Sequence, residues 1–445
     1  MASNSINFSS KKSAIKFREF IRNPPTAVKQ RTRQTFQFGY VSTIFVEREL
    51  KKLKRKKATG LDNLPPGLLK DAAAEIASPL AHIINLSLRS GQVPSQWKIA
   101  EVIPLHKSGN TGHKNNKVSK ILEKAVHHQL MNYIEGNNLL SDNQFGYRSM
   151  RSTELATMLF TDFIRKSADN GLMTGEVFLD LSKAFDTLGH DRLLQKLKSY
   201  GIKGLALQWF TDYLFQRSQI VKLGQERSSP CPLVCGVPQG SILGPVLFLL
   251  FFDDFIDCIH HCNVLQFADD TVIFVSSKKV CDIEYLLNSD LNSVSLYLNT
   301  NELVANLKKG KTESMLFGTA KRISSLPGDL RNLKLLFNDN PINSTDTYTY
   351  LGTILESNLV QSTDFDSKYK KASKKLGVLR KLMELLTTEA AHLVYDSIIV
   401  SAINNNCIVN LNLNSSQQSK LRSLQRRAES LFNIKTTPIM NTFNK

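Results

Sequence analysis

Residues 264–274, VLQFADDTVIF, place two adjacent carboxylates, Asp269 and Asp270, in the middle of an apolar run. The two flanking apolar stretches predict a buried β-hairpin. Burying one unpaired carboxylate is costly, and burying two side by side costs more unless a positive charge holds them. Asp is a common turn residue, so a hairpin corner that points to water is one explanation. A cation-binding site is the other, and the rest of the chain has to decide between them.

The composition is that of a basic globular protein of 445 residues, with 42% hydrophobic and 22% charged residues. Lys and Arg exceed Asp and Glu so that the formal net charge is +18. A field of this sign favours polyanions, with nucleic acid ahead of an acidic membrane surface. The excess is concentrated in residues 1–60, above all in residues 51–57. This run fits a nucleic-acid-binding arm, a nuclear-import signal or a solvated charge run.

Cysteine usage and hydropathy bound the compartment. Six cysteines, and a start that does not resemble a signal peptide, predict a reducing intracellular environment. Cys231 with Cys235 and Cys258 with Cys262 share one spacing, which makes a zinc site conceivable, although zinc ribbons usually separate paired cysteines by two residues. The longest apolar run, residues 242–252, is too short to span a bilayer, so no membrane role is predicted.

Short strands and helices are mixed along the chain, and this mixture predicts an α+β fold. Helices are predicted near residues 68–88, from 121 onward, at 192–200, 205–215 and 283–298, within 236–256 after a Gly/Pro turn, and through the C-terminal region. Strands are predicted near residues 100–105, 176–181, 264–274, 314–317 and 350–353, the last two as a pair.

Two of these strands end in carboxylates, Asp180 in one and Asp269 with Asp270 in the other. Phosphoryl transfer from a nucleoside triphosphate needs such a cluster, because two Mg²⁺ ions about 3.5–4 Å apart clamp the attacking and leaving oxygens. Mg²⁺ prefers oxygen ligands, so Asp is the expected ligand type. The ions would also supply the positive charge that the hairpin lacks.

Seven segments, in the family's own order, resemble the reverse transcriptase domain of a non-LTR (LINE-type) retrotransposon. Five of them are VFLDLSKAFD at 177–186, GVPQGSILGP at 236–245, FADD at 267–270, residues 306–312 with Gly318, and YLG at 350–352. KATGLD at 57–62 and QFGYRSMRST at 144–153 are similar to further family signatures. The resemblance covers about residues 46 to 430, and so many ordered matches are specific.

The resemblance implies a right-hand polymerase fold with fingers, a palm built on an antiparallel sheet, and a helical thumb. Residues 1–45 would be a basic, loosely ordered lead-in, and 46–172 would be N-terminal helices and fingers, incomplete near 111–118. Residues 173–355 would form the palm, with an interleaved fingers segment at about 201–235, and 356–445 the thumb.

The implied activity is RNA-directed DNA polymerisation. Its partners would be an RNA template, a DNA primer and deoxynucleoside triphosphates, and its cofactor two Mg²⁺ ions, with Mn²⁺ as an alternative. The need of this family to reach chromosomal DNA favours a nuclear over a cytoplasmic location.

The resemblance also implies roles in the chemistry. Asp180, Asp269 and Asp270, with the main-chain carbonyl of Leu181, would hold the metals. Lys311 would assist the departing pyrophosphate, or is simply a solvated lysine of its basic run.

Further residues would bind the substrates. Phe185 would lie under the sugar of the incoming nucleotide and exclude a 2′-hydroxyl; outside the motif it would be a core aromatic. Gln239, Gly240 and Arg148 would border the same nucleotide. Nucleic acid would be bound by the primer-gripping turn and by one side of a basic helix, namely Tyr350, Gly352, Lys368, Lys371 and Lys375.

One part of the family pattern is missing. Between residues 105 and 118 the family carries an Arg-containing fingers segment, whereas here Asn115-Asn116-Lys117 runs directly into Val118. Its loss should open the fingers and remove positive charge from the site. The chain is therefore expected to be an active or formerly active reverse transcriptase, or a non-catalytic nucleic-acid-binding relic; a DNA-templated polymerase is a third alternative.

Two other polar features are predicted to be structural. Asp253-Asp254 follows an apolar helix and is interpreted as a surface pair at the helix end. His190 is interpreted as a structural residue rather than a proton carrier.

Overall fold

The computed structural model describes residues 28–56, 59, 64–103, 112–114, 118–224, 226–238, 240–359, 362–404 and 414–432. The helices are α1 (Thr43–Lys51), α2 (Pro66–Asp71), α3 (Ala73–Ser90), α4 (Ser119–Gly136), α5 (Thr153–Asp169), α6 (His190–Ser199), α7 (Gly204–Leu214), α8 (Leu243–Phe252), α9 (Val280–Thr300), α10 (Ala320–Ser325), α11 (Ser362–Leu382), α12 (Thr388–Val394), α13 (Ser401–Asn404) and α14 (Ser415–Phe432). The strands are β1 (Ile99–Ile103), β2 (Gly112–Lys114), β3 (Met173–Leu179), β4 (Ser218–Leu223), β5 (Glu226–Arg227), β6 (Cys231–Pro232), β7 (Asn263–Phe267), β8 (Asp270–Ser277), β9 (Glu313–Phe317), β10 (Leu336–Phe337), β11 (Asn340–Pro341), β12 (Asn343–Ser344), β13 (Thr347–Tyr350) and β14 (Thr353–Glu356). This mixed content confirms the predicted α+β class.

The chain forms two compact units. Of the described residues, the first contains those up to 141 with 182–256 and 296–304, and the second contains 142–181, 257–295 and those from 305 to 432. The predicted palm, residues 173–355, contributes to both units, and the fingers, palm and thumb boundaries stay a prediction.

The first unit carries a small sheet and several helices. Its strands run in the order β2-β1-β4-β5, with β6 also on β4, and β1 lies parallel to β4. Helix α8 is apolar on every side and is almost wholly buried, which fits the core position expected of such a helix. The predicted helices near 192–200 and 205–215 are confirmed as α6 and α7.

Asp253 and Asp254, predicted to be a surface pair, are instead enclosed in the first unit. Asp253 is 2% exposed and accepts hydrogen bonds from the Ser141 backbone N–H and the Tyr200 hydroxyl. Asp254 forms an ion pair of 2.7 Å with the buried ammonium of Lys196. The surface prediction is wrong because the donors come from segments far away in sequence.

The second unit is built on what we call the central sheet, with strand order β12-β9-β3-β8-β7. Strand β3 lies in the middle, antiparallel to β8 and β9, and is buried along its whole length. Strands β7 and β8 form the predicted hairpin, with Phe267 opposite Asp270. Both faces of this central strand are covered, and its buried residues include the polar Thr174 and Glu176.

One face of the central sheet packs on helix α5. Phe160 of this helix is fully buried and makes edge-on contacts with aromatic rings of three strands. Ser152 caps the start of the helix, since its hydroxyl accepts a hydrogen bond from the Leu155 N–H.

The predicted pairing of residues 314–317 with 350–353 is wrong. Strand β9 pairs with β3 and β12, whereas β13 and β14 form a hairpin of their own. Leu351 and Gly352 make its two-residue turn with φ of 46° and 84°. Successive positive φ values are typical of the tight turn that matches the twist of a hairpin. Residues 347–350 therefore pair with the nearby residues 353–356 and not with the distant strand β9.

Helices α11 to α14 form what we call the C-terminal bundle. Its core contains Leu376 and Leu379, as predicted, with Tyr395, Leu421 and Leu424 from later segments, and Leu386 packs against it partly buried. In the described ranges, no helix combines the length and apolarity needed to cross a membrane. The described cysteines are free.

Candidate active site

The register of the central sheet brings the predicted carboxylates to one edge. Leu179, at the end of β3, lies opposite Thr271 of β8. Asp180 directly follows Leu179 and Asp270 directly precedes Thr271. Because the two strands are antiparallel, the next register position sets Asp180 opposite Asp270.

Asp269 occupies the two-residue turn between β7 and β8 together with Ala268. Ala268 has φ of 58°, in the region that favours glycine, so an alanine is unusual at this position. Its methyl group is buried. Asp269 is half-buried and Asp270 is exposed. The turn and the first residue of β8 therefore place two carboxylates at the same edge of the sheet as Asp180.

The pKa shifts of Asp269 and Asp270 indicate that these carboxylates repel one another. Partial burial raises the pKa of Asp269, and the charge of Asp180 adds to the rise while Lys311 opposes it. Desolvation, then repulsion from Asp269 and Asp180, raises the pKa of Asp270 to about 6. Because the Asp270 side chain is exposed to solvent, repulsion from the neighbouring carboxylates is the cause of its raised pKa that the geometry supports better. Like charges held together in this way favour the binding of a cation.

Asp180 is held by polar groups that follow α9. Asn306 Nδ2 donates to one carboxylate oxygen at 2.9 Å, and Lys311 Nζ lies 3.2 Å from the other. The Asp180 N–H donates to the Thr312 hydroxyl at 3.1 Å, and the Asn306 N–H donates to the Asp180 carbonyl. The Lys311 side chain is half-exposed and paired with Asp180. Sequence reasoning did not single out Asn306; its place at the start of a matched motif was the available signal.

The chemistry of the donor set fits a hard divalent cation, since it consists of carboxylate oxygens. Within the described part of the chain, however, no three His, Cys, Asp or Glu side chains are grouped so that they could hold a metal ion. The same finding covers the cysteine pairs considered for zinc. The three aspartates thus interact electrostatically but do not form a complete set of metal ligands.

The β13–β14 hairpin lies beside the carboxylates in the second unit. The Tyr348 ring stacks on Phe178 of β3 at 3.9 Å, and its hydroxyl donates to the Lys311 carbonyl. Desolvation, followed by the charges of Asp270 and Asp180, raises the pKa of Tyr348. Tyr350 is 3% exposed and packs against Phe160 and Phe178, so its side chain belongs to the core. Gly352 is exposed at the turn.

The residues predicted to border the nucleotide lie in both units. Phe185 is half-buried in the first unit, where its ring stacks on Phe248 at 4.4 Å. Gly240 is exposed with φ of 71°, and Gln239 lies outside the described residues. Arg148 belongs to the second unit and donates to the Gln144 carbonyl at 3.4 Å. The buried Leu181 is bridged to Ala305.

The lysines on the basic side of α11 have two different surroundings. Lys371 and Lys375 are exposed. The Lys368 side chain is 11% exposed and pairs with Asp364 at 2.7 Å, one turn earlier on the same helix. The buried carboxylate of Asp364 neutralises Lys368 in this structure, and its contact with a phosphate backbone stays a prediction. His190 is buried and its Nε2 lies 2.8 Å from the Gly236 carbonyl oxygen, in agreement with a structural role.

Comparison with known proteins identifies the class of protein that has this fold and these carboxylates at the edge of its sheet. The family described as reverse transcriptase (RNA-dependent DNA polymerase) matches residues 113–355. The chain belongs to this family.

The relatives narrow the class to the reverse transcriptases of non-LTR (LINE-type) retrotransposons. The chain is 29% identical over 336 residues to the RNA-directed DNA polymerase from mobile element jockey of Drosophila melanogaster, covering 71% of this chain and 35% of that protein. It is 26% identical over 372 residues to the probable RNA-directed DNA polymerase from transposon BS of the same organism, covering 78% and 39%. A retrovirus-related Pol polyprotein from type-1 retrotransposable element R2 of Popillia japonica is 24% identical over 253 residues, covering 53% and 34%. The matches thus span less than two fifths of these relatives.

Proposed function

We propose that this chain is an RNA-directed DNA polymerase of a non-LTR retrotransposon, which adds deoxynucleotides to the 3′-hydroxyl of a DNA primer along an RNA template. The observation that carries the proposal is the edge of the central sheet, where Asp180 and Asp270 adjoin the last paired residues of β3 and β8 and Asp269 occupies the β7–β8 turn. In this proposal the central sheet is the palm and the C-terminal bundle is the thumb. The fingers would be formed by N-terminal segments, and the protein would work in the nucleus.

The metal site would be formed by Asp180, Asp269 and Asp270, with the Leu181 carbonyl as a main-chain ligand. Two bound Mg²⁺ ions would align the attacking and leaving oxygens and stabilise the charge that develops between them. Mn²⁺ prefers the same oxygen ligands. The raised pKa of Asp270 supports the assignment, because repulsion among these carboxylates is relieved by a cation.

The chain's own residues would prepare this site. Asn306 fixes one oxygen of Asp180, which limits the rotation of the carboxylate. Lys311 brings a positive charge next to Asp180, and we assign to it the role of meeting the departing pyrophosphate. Tyr348 supports Lys311 by donating a hydrogen bond to its carbonyl.

Selection of the nucleotide would rest on Phe185, Gly240, Gln239 and Arg148. The stack of Phe185 on Phe248 fixes the direction of the ring, as a steric barrier to a 2′-hydroxyl requires. The exposed Gly240 backbone would allow close approach of the nucleotide. Template and primer would lie along Lys371, Lys375 and the Gly352 turn, whereas Tyr350 would support that turn from the core.

Primer extension on poly(rA) with oligo(dT) and Mg²⁺ tests the proposal. We expect the wild-type chain to extend the primer and Asp269→Ala to remain at background. Asp169→Ala, which removes an exposed aspartate at the end of α5, should match the wild type. A filter-binding measurement on the same duplex reports binding separately from chemistry.

Two results would contradict the proposal. Duplex binding without extension above Asp269→Ala would identify a non-catalytic nucleic-acid-binding relic. Equal or better extension on poly(dA) would indicate a DNA-templated polymerase. The fingers segment that raised the first alternative lies mostly outside the described residues.

A further inference from the structure

Residues 144–146 brace the turn that carries the two aspartates. The Gln144 side chain is fully buried, and its Oε1 accepts hydrogen bonds from the Gly146 N–H at 2.7 Å and the Ala268 N–H at 2.9 Å. Its Nε2 donates to the Ala268 carbonyl at 3.3 Å. One side chain therefore binds both polar backbone groups of Ala268.

The backbone around Gln144 is joined to β7 as well. The Phe145 N–H donates to the Gln266 carbonyl at 2.8 Å, and the Gln266 N–H donates to the Asn143 carbonyl at 2.9 Å. A Cβ atom on Gly146 would lie 2.3 Å from the Ala268 nitrogen. Only glycine at position 146 permits this approach, so the brace is fitted closely to the turn.

The turn needs support because Ala268 adopts φ of 58°. Glycine is the usual residue at the first position of a two-residue hairpin turn with positive φ there. An alanine tends to relax from this conformation unless its surroundings hold it. Relaxation would redirect the next two residues, Asp269 and Asp270.

We propose that Gln144 is a positioning residue that holds the Ala268 turn so that Asp269 and Asp270 face the metals and the primer end. This inference rests on the proposed function. A purely structural role is the alternative, in which Gln144 only satisfies buried backbone groups. The alternative predicts lower stability without a specific effect on metal binding.

The test compares Gln144→Met with Gln266→Met. Gln266 is equally buried, and its side-chain amide has no hydrogen-bond partner among the described residues, so it is a matched control. Mn²⁺ affinity is measured by the electron paramagnetic resonance of free Mn²⁺, and kcat and KM by primer extension. Gln144→Met should weaken Mn²⁺ binding and lower kcat roughly tenfold, as loss of an outer-shell contact does, with KM for the primer unchanged. Gln266→Met should change neither.

Rescue at position 268 distinguishes positioning from simple stability. Ala268→Gly removes the conformational strain, so it should restore most of the Mn²⁺ affinity in the Gln144→Met background. Gln144→Asn, which keeps a neutral amide but is one methylene shorter and so loses part of the contact with Ala268, covers the case in which Gln144→Met does not fold. It should lose affinity less than Gln144→Met.

The outcomes separate the two proposals. A wild type without Mn²⁺ binding or extension overturns the proposed function and the positioning role together. An active wild type with Mn²⁺ affinity and kcat unchanged in both Gln144 variants overturns the positioning role alone. Equal losses in Gln144→Met and Gln266→Met, or no rescue by Ala268→Gly, also overturn it.

Discussion

Two pairs of adjacent aspartates look alike in the sequence and have opposite surroundings. Asp253 accepts hydrogen bonds from Ser141 and Tyr200, and Asp254 pairs with Lys196. Burial raises the pKa of Asp253, but those two hydrogen bonds oppose the rise. In the second pair, Asp270 has its pKa raised both by desolvation and by the neighbouring carboxylates.

The difference shows what separates a structural pair from a candidate metal site. Hydrogen-bond donors of the same unit, including a buried ammonium, compensate the negative charge of the first pair. The second pair lies beside a third carboxylate, and Lys311 is the cation that opposes the resulting field. The binding of a divalent cation would therefore be more favourable in free energy at the second pair than at the first.

The largest expected effect is on the chemistry at the second pair. Asp180→Asn should reduce primer extension on the order of a thousandfold, since a metal-bound carboxylate accounts for several kcal/mol of transition-state stabilisation. Single-turnover extension measures the rate, and circular dichroism checks the fold. Asp169→Asn is the matched control. A rate within tenfold of the wild type would remove Asp180 from the site.

At the first pair the expected effect is on stability. Asp254→Ala leaves the Lys196 ammonium buried beside the Phe251 carbonyl and the Tyr297 hydroxyl without its carboxylate partner, and should lower the free energy of unfolding by about 3 kcal/mol. Urea denaturation measures it. Asp254→Ala combined with Lys196→Met should recover most of the loss, because no unpaired charge remains. A loss below about 1 kcal/mol would show that the pair is not an essential contact.

Metal affinity at the second pair should depend on pH. Because the pKa of Asp270 is raised to about 6, protons compete with the metal at a higher pH than at an ordinary aspartate. Mn²⁺ affinity should be constant above pH 7 and fall by up to about tenfold per pH unit below pH 6. Mn²⁺ titrations across this range test it. Asp270→Asn should weaken the dependence, and an unchanged profile in that variant would assign the titration to another group.

The smallest expected effect is the repulsion within the second pair. A folded-state pKa above the ordinary 3.8 means that deprotonation of Asp270 destabilises the fold, a cost absent at low pH and complete above about pH 6. Asp270→Asn should therefore raise the free energy of unfolding of the metal-free protein at pH 7, by less than about 1 kcal/mol because solvent screens the exposed group. The gain should vanish near pH 4. Denaturation at both pH values measures it, and a destabilised variant at pH 7 would contradict the repulsion.

The sequence by itself determined the elements that depend on near neighbours. Alternating and helical patterns predicted the β7–β8 hairpin, strand β3 and helices α6, α7 and α9, because periodic burial is written into residues a few positions apart. The order of the motifs also predicted the family. Asp180, Asp269 and Asp270 were predicted as site residues because they interrupt or end apolar runs.

Only the tertiary structure decided which polar residues have partners. Asp254 meets Lys196, Lys368 meets Asp364, and Asp180 meets Asn306 across 126 positions of the chain. Gln144 reaches Ala268 across 124 positions. A charge or an amide carries no periodicity of its own, and the free energy of burying it is set by the group that folding brings next to it. The same Asp-Asp dipeptide can therefore be enclosed in one unit and presented at a sheet edge in the other.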